Sequence, residues 1–178
     1  MMHDIYNSPV SLSEQSQLDD WSGAVHGFLS HGKKTPVHLG AHLEANPIFA
    51  MGHAARGLFM IMMGRKELLA VAHEAAKAAN LILREHGENA RERGWVDALN
   101  FWLESKPTAA IAAMEAILQD APQDTLSAKV SHGIRFMLSD GAGMRRSIER
   151  VLKAHDADRA LRGYALGCHA FTLDETDE

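Results

Sequence analysis

The feature that most constrains this chain is the regular recurrence of residues that start and stop helices, with no β-strand pattern between them. Thr35-Pro36 and Asn46-Pro47 each place a proline just inside a helix start, where its missing N–H is no loss. Gly64 and Gly87 follow apolar periodic segments, at the position where glycine most readily takes the left-handed conformation. β-Branched residues are few, and neither sustained alternation nor an Asn-Gly turn occurs. The sequence therefore predicts an all-α protein.

About nine helices are predicted, and their apolar residues recur with the three- and four-residue spacing of one buried helix face. The connections are only two to five residues long, which favours antiparallel neighbours. A polar lead over residues 1–18 precedes a single helical domain over residues 19–178. The predicted helices extend from Asp19 or Asp20 to Leu29, from Thr35 to Ala45, from Asn46 to Gly64, from Arg65 to Gly87, from Asn89 to Trp102, from Ser105 to Leu118, from Pro122 or Asp124 to Leu138, from Met144 to Leu152 and from Asp158 to Leu173.

Composition excludes several classes of function. A net charge of -5 argues against a nucleic-acid surface, which normally carries a basic stripe. Cys168 is the single cysteine, so no internal disulfide framework exists, and this fits a reducing cytoplasm. The start of the chain lacks the basic and apolar parts of a secretory signal. The longest apolar run, residues 58–63, is too short to cross a bilayer, which needs about 20 residues. We expect a soluble cytoplasmic protein without a cofactor.

An internal repeat is visible in three segments that each place a histidine before an apolar run. They are MGHAARGLF (51–59), VSHGIRFML (130–138) and LGCHAFTL (166–173), with His53, His132 and His169 at matching positions. His132 lies 79 residues after His53, and His169 lies 37 residues after His132. These spacings correspond to about two units and one unit of a helical repeat, in which each hairpin buries its apolar face against the next. The pattern predicts a right-handed α-α superhelix of antiparallel hairpins.

The hairpins resemble tetratricopeptide repeats. One unit carries Gly57, Gly64 and Ala76 at positions where that pattern has small residues. The next unit matches at four positions, while Ser105 stands where glycine is usual. The matches of this second unit are Ala98, Phe101, Ala110 and Pro122.

The ordered series of segments is similar to the N-terminal part of the tetratricopeptide repeat protein 38 family, over roughly Ile5 to Glu178. The segments that carry this similarity are ANPIFAMGHAARGLFMIMMGR, RERGWVDALNFWLESKPTAAIAAMEAILQDAPQDTLSAKVSHGIRFMLSDG and RGYALGCHAFTLDETDE. Proteins of that family are considerably longer, so the resemblance implies that this chain is an N-terminal fragment. It also implies that the first helix of each hairpin lines a concave groove.

We therefore expect a non-catalytic scaffold that binds a protein or peptide partner in that groove. His53 and Arg56 lie three residues apart on one helix face, within a nearly uncharged segment, and lead the candidates. Gly57 would allow the close approach of another helix. The predicted groove residues are His53, Arg56, Asn100, Trp102, His132 and Arg135.

Other readings stay open. An enzyme or ligand-binding protein with a histidine-lined pocket is the alternative from a different class, and a self-associating module is a third. Leu166, Phe171 and Leu173 of the last helix are expected to be exposed, which predicts a homodimer through that edge.

No metal centre or catalytic residue is predicted. His38 and His42 have the spacing of two ligands on one helix, but no third ligand accompanies them. The pair His73-Glu74 lacks the second histidine of a zinc protease, because Lys77 stands there. Cys168 is expected to be a small buried residue rather than a nucleophile.

Overall fold

The computed structural model describes residues 2–87, 89–155 and 161–176. Over these residues the protein is all-α, with nine α-helices and one pair of two-residue strands. None of the helices in the described ranges combines the length and the apolar character that a membrane span requires. The elements are β1 (Met2–His3), β2 (Pro9–Val10), α1 (Gln15–Leu29), α2 (Thr35–Ala45), α3 (Ala50–Met62), α4 (Leu69–His86, preceded by a 3-10 turn, Lys66–Leu68), α5 (Ala90–Leu103), α6 (Pro107–Asp120), α7 (Thr125–Met137), α8 (Gly141–Ala154) and α9 (Arg162–Asp174).

Consecutive helices pack as adjacent pairs. α1 packs on α2, α3 on α4, α5 on α6 and α7 on α8, while α9 packs on α8. Neighbouring pairs meet chiefly through α3 with α5 and α6 with α7. The predicted fold class, an all-α array of helix hairpins, is confirmed. The array also curves, so that α1 and α3 contact α7 directly.

The first helix of each of the first four pairs ends in the same backbone turn. One residue after the helix cap takes the left-handed conformation: His31 (φ 55°), Gly64 (φ 66°), Ser105 (φ 60°) and Ser139 (φ 57°). At three of these turns the following N–H returns to a carbonyl five residues earlier, the bond that satisfies an otherwise free helix end. These bonds join Gly32 to Gly27 (2.7 Å), Lys106 to Phe101 (2.8 Å) and Asp140 to Arg135 (2.9 Å). The hairpins therefore repeat in backbone conformation even where glycine is absent.

Most of the core is one continuous apolar cluster that extends from the N-terminal segment through α7. Trp21, Phe49 and Trp95 are its largest fully buried side chains, and Trp95 Nε1 donates to Ser127 Oγ at 3.0 Å. A smaller cluster, which includes Ile148 of α8, joins α8 and α9. Since each pair completes the apolar face of its neighbour, the hairpins depend on one another for burial.

Several helix boundaries differ from those predicted. α1 begins at Gln15 rather than Asp19 or Asp20, because the side chain of Gln17 accepts the backbone N–H groups of Ser13 and Glu14 at 3.0 and 3.3 Å. The helix predicted from Asn46-Pro47 begins only at Ala50.

Other predicted boundaries are confirmed. Asn89 and Asp124 cap α5 and α7, since their side chains accept the N–H groups of Glu92 and Ser127. Asp158, expected to open the last helix, lies outside the described residues.

The N-terminal segment, predicted to be a polar lead, contains a β-hairpin that packs on the core. Its two strands pair antiparallel, with Met2 opposite Val10. Tyr6 and Val10 are buried in the main core. Asp4 Oδ2 accepts from Arg91 Nη1 of α5 at 2.6 Å, which ties the hairpin to the repeat array.

Candidate binding groove

A broad open groove of about 1020 Å³ lies where the C-terminal ends of α1 and α3 meet α7 and α9. Its walls are apolar, and phenylalanine and methionine dominate them. We call this site the groove; its main apolar residues are Phe28, Leu29, Leu39, Phe59, Met60, Met62, Met63, Phe136, Met137 and Phe171.

Close helix packing forms the floor of the groove. Phe28 of α1 stacks on Phe59 of α3, with ring centroids 3.9 Å apart and planes only 7° from parallel. A Cβ at Gly133 of α7 would lie 2.7 Å from Met62 Sδ, so glycine allows α3 and α7 to approach there. The groove thus depends on contacts between helices far apart in sequence.

The upper part of the groove is open to solvent. Met63, Phe136, Met137 and Phe171 keep between 43% and 57% of their surface exposed. The rings of Phe136 and Phe171 contact each other in a tilted arrangement, with centroids 5.5 Å apart. Contiguous exposed apolar side chains of this kind are typical of interaction sites.

The charged side chains that line the groove are those of Lys33 and Lys129. The imidazoles of His31 and His132 also contribute to its walls, and no aspartate or glutamate is among its described lining residues. This local charge is opposite in sign to the net charge of -5 of the chain.

His132 is buried in the wall of the groove, with 6% of its surface exposed. Burial lowers the pKa of its imidazole to about 4, although the Glu115 carboxylate and a backbone hydrogen bond at Met144 oppose the shift. Its Nε2 is buried and has no hydrogen-bond partner among the described residues. A neutral imidazole with one free nitrogen therefore stands at the site.

Cys168 also lines the groove. Its side chain is half-buried, whereas a small buried residue was expected. Burial raises the pKa of its thiol, which opposes thiolate formation. Among the residues that the structure describes, no three histidine, cysteine or acidic side chains are arranged to hold a metal ion. His38 is exposed whereas His42 is fully buried against the rings of Trp21 and Phe49, so the two imidazoles do not meet at one accessible site.

Of the predicted groove residues, only His132 lines this groove. His53 and Arg56 lie together, as their spacing predicted, but in a separate shallow pocket against α4 that also includes Glu74. There His53 Nε2 lies 2.9 Å from the carbonyl oxygen of Pro47. His169 of the repeated segments lies instead beside Glu149 of α8, at 3.7 Å.

The remaining predicted residues serve contacts between helices. Asn100 of α5 exchanges two hydrogen bonds with Asn80 of α4, at 2.9 and 3.1 Å. Trp102 is half-buried and packs against the main core. Arg135 forms ion pairs with Glu115, at 3.3 Å, and Asp140.

Sequence reasoning missed most of the groove. Lys129 and His31 were not identified, nor were the phenylalanines and methionines that form its walls. The signal available in the sequence was the run of apolar residues at the end of a helix. Such runs occur at the ends of α3 and α7, over Phe59 to Met63 and Phe136 to Leu138. Such a signal does not separate a groove from a buried core, where most apolar residues of this kind lie.

No protein-family model matches this chain, and no solved structure matches it significantly. The resemblance to the tetratricopeptide repeat protein 38 family accordingly stays a prediction.

Proposed function

We propose that this protein is a non-catalytic helical-repeat module that binds an amphipathic helix of a partner protein in the groove. One observation carries the proposal: exposed phenylalanine and methionine side chains from α7, α9 and the residue that follows α3 line one continuous open groove. An amphipathic helix lays its apolar face into such a groove and keeps its polar face in water. Methionine adapts its shape to irregular partner surfaces, which suits this role.

The openness of the groove favours a helix over a small molecule. Pockets for small ligands have volumes of about 300–1000 Å³ and bury most of the ligand. The groove reaches about 1020 Å³, and Met63 and Met137 on its rim are more than half exposed. A partner that keeps one side in water fits this shape better.

A histidine-lined ligand pocket is the second candidate function. Two observations favour it: His31 and His132 both line the groove, and the buried Nε2 of His132 has no partner among the described residues. A polar ligand that reached this nitrogen would satisfy it. Such a ligand would occupy the floor of the groove, whereas a helix would cover its rim.

The test uses a displayed library of amphipathic peptides, each about four helical turns long, selected for binding to the whole chain. Selected peptides are expected to lose at least about tenfold in affinity on Phe136→Asp, since this places a charge in the apolar contact. Leu81→Asp is the matched control, because Leu81 of α4 is similarly exposed, 44% against 49%, but lies outside the groove. Equal affinities for the two variants, with both folded, would exclude the groove as the binding site.

Self-association remains a separate proposal. Leu166 and Phe171 of α9 are 45% and 43% exposed, as the sequence predicted, whereas Leu173, predicted to be exposed as well, is half-buried. We infer a homodimer through α9, which light scattering at high protein concentration tests. A monomer at that concentration would contradict it, and so would a dimer that persists in Leu166→Asp.

A further inference from the structure

Lys129 is a partly buried cation of the groove whose contacts are all neutral. Its Nζ donates to the carbonyl oxygen of Leu29 at 3.0 Å and lies 3.0 Å from His31 Nε2. It also lies 5.8 Å from the ring centroid of Phe28. No carboxylate of the described residues forms an ion pair with it.

Two other shielded cations of the same protein, Arg91 and Arg135, are paired with acids. Arg91 contacts Asp4 and Asp124, and Arg135 contacts Glu115 and Asp140. Burial of an ammonium without a counter-ion is unfavourable, and here burial lowers the pKa of Lys129. Since an ammonium has three donors and two are used, one N–H of Lys129 has no acceptor in these contacts.

His31 positions the ammonium of Lys129 by accepting a hydrogen bond from it. A lysine ammonium can only donate, so Nε2 of His31 must accept, and the proton of the neutral imidazole is on Nδ1. The backbone of His31 is left-handed at a position that favours glycine, which is a strained conformation for a side chain of this size. This turn places the imidazole of His31 at the groove, next to Lys129.

We propose that Lys129 and His31 form a carboxylate-binding site within the groove, which recognises one acidic side chain on the docked helix. This inference rests on the proposed function and names the chemistry of its partner: an amphipathic helix with an apolar face and one glutamate or aspartate at its border. Charge complementarity supports this occupant, because the groove has basic lining residues and no acidic ones among those described. A charge-assisted hydrogen bond from Lys129 is stronger than one between neutral groups.

The test compares synthetic amphipathic peptides with their amide twins. Each peptide places leucine, phenylalanine and methionine on one helix face and carries a single glutamate at one border position; its twin has glutamine there. Fluorescence anisotropy measures binding to the whole chain. For at least one border position, the glutamate peptide is expected to bind at least about tenfold more tightly than its twin.

Substitutions then locate the effect. Lys129→Met should remove the difference between the twins and leave the affinity of the glutamine peptide within about twofold. His31→Gly should reduce the difference without unfolding the turn, because glycine suits its backbone conformation. Lys33→Met is the matched control: Lys33 is an exposed cation on the same groove, and its loss should leave the difference in place.

The outcomes separate this inference from the proposed function. If glutamate and glutamine twins bind equally at every position, the carboxylate site is wrong while groove binding stands. If no peptide of either series binds, the proposed function fails as well. Tight binding of dodecanoate that depends on Lys129, without binding of any peptide, would overturn the inference and assign the site to a small amphiphile.

Discussion

Gly57 of α3 lies so close to Leu99 of α5 that a Cβ at position 57 would sit 2.6 Å from Leu99 Cδ2. Both residues are fully buried, and they join the first helices of two consecutive hairpins. The sequence predicted that Gly57 permits close approach of the second helix. The structure shows that the close neighbour belongs to the next hairpin, so this glycine sets the spacing between hairpins.

Gly57→Ala is therefore expected to lower the free energy of unfolding by about 1–3 kcal/mol, because the methyl group overpacks a full core. Chemical denaturation measures the change. Gly23→Ala is the control, since Gly23 is also within a helix but a Cβ there would have no atom within 4 Å. That variant should gain up to about 1 kcal/mol from helix propensity. A loss of equal size in both variants would contradict the packing argument.

Ser105 offers a test of the repeated turn. It is exposed and left-handed, at φ 60°, so Ser105→Gly is expected to stabilise the protein by about 0.5–1 kcal/mol as backbone strain is relieved. The reverse change is Gly64→Ala, at φ 66°, where a Cβ would have no close neighbour. It should destabilise by a similar amount through the backbone alone. Thermal unfolding measures the change in stability of each variant. Changes in the same direction would show that the turns at Ser105 and Gly64 do not share one left-handed backbone conformation.

The sequence predicted the number of helices well because helix starts and ends depend on local chemistry. Asn89 and Asp124 cap their helices through atoms three residues away, which a sequence displays directly. The N-terminal strand pair was missed because each strand has only two residues, and it is tied to the array by a distant contact, Asp4 with Arg91. Short strands held by tertiary contacts leave no periodic signal.

The site was predicted less well for a related reason. Phe28, Phe59 and Phe136 line one groove only because the array curves and brings α1 and α3 to α7. That curvature follows from packing between hairpins, which a single sequence does not display. His53 was selected for its unusual apolar context, but its ring nitrogen lies beside the carbonyl oxygen of Pro47, a local contact that accounts for this half-buried polar side chain.

Arg91 is the centre of a buried ion cluster with Asp4 and Asp124, at 2.6 and 2.8 Å. Although burial alone would lower the pKa of Arg91, the two carboxylates raise it above its ordinary value, so the guanidinium is charged. Arg91→Met should lower the free energy of unfolding by about 3–5 kcal/mol, since it leaves two buried carboxylates without their cation. Arg93→Met on the same helix removes the arginine of an exposed ion pair and should change stability by less than about 1 kcal/mol. Denaturant titrations compare the two, and similar losses would show that the buried cluster has no special role.

His132 predicts a specific dependence of stability on pH. Its pKa is about 4 in the folded protein and 6.5 in the unfolded chain, because burial in the groove wall disfavours the charged imidazole. Below pH 6.5 the unfolded chain therefore binds a proton that the folded protein does not. The stabilising contribution of the neutral imidazole is complete above pH 6.5 and is lost as the pH falls towards about 4.

The difference of pKa values corresponds to a loss of up to about 3 kcal/mol from this residue alone. His132→Gln cannot take up that proton, so its free energy of unfolding should fall less steeply between pH 6.5 and about 4 than that of the unsubstituted protein. His42 and His53, whose pKa values burial also lowers, are present in both proteins and cancel in the difference. Urea unfolding at several pH values gives the two curves. Parallel curves would show that His132 is protonated as readily in the folded groove as in the unfolded chain.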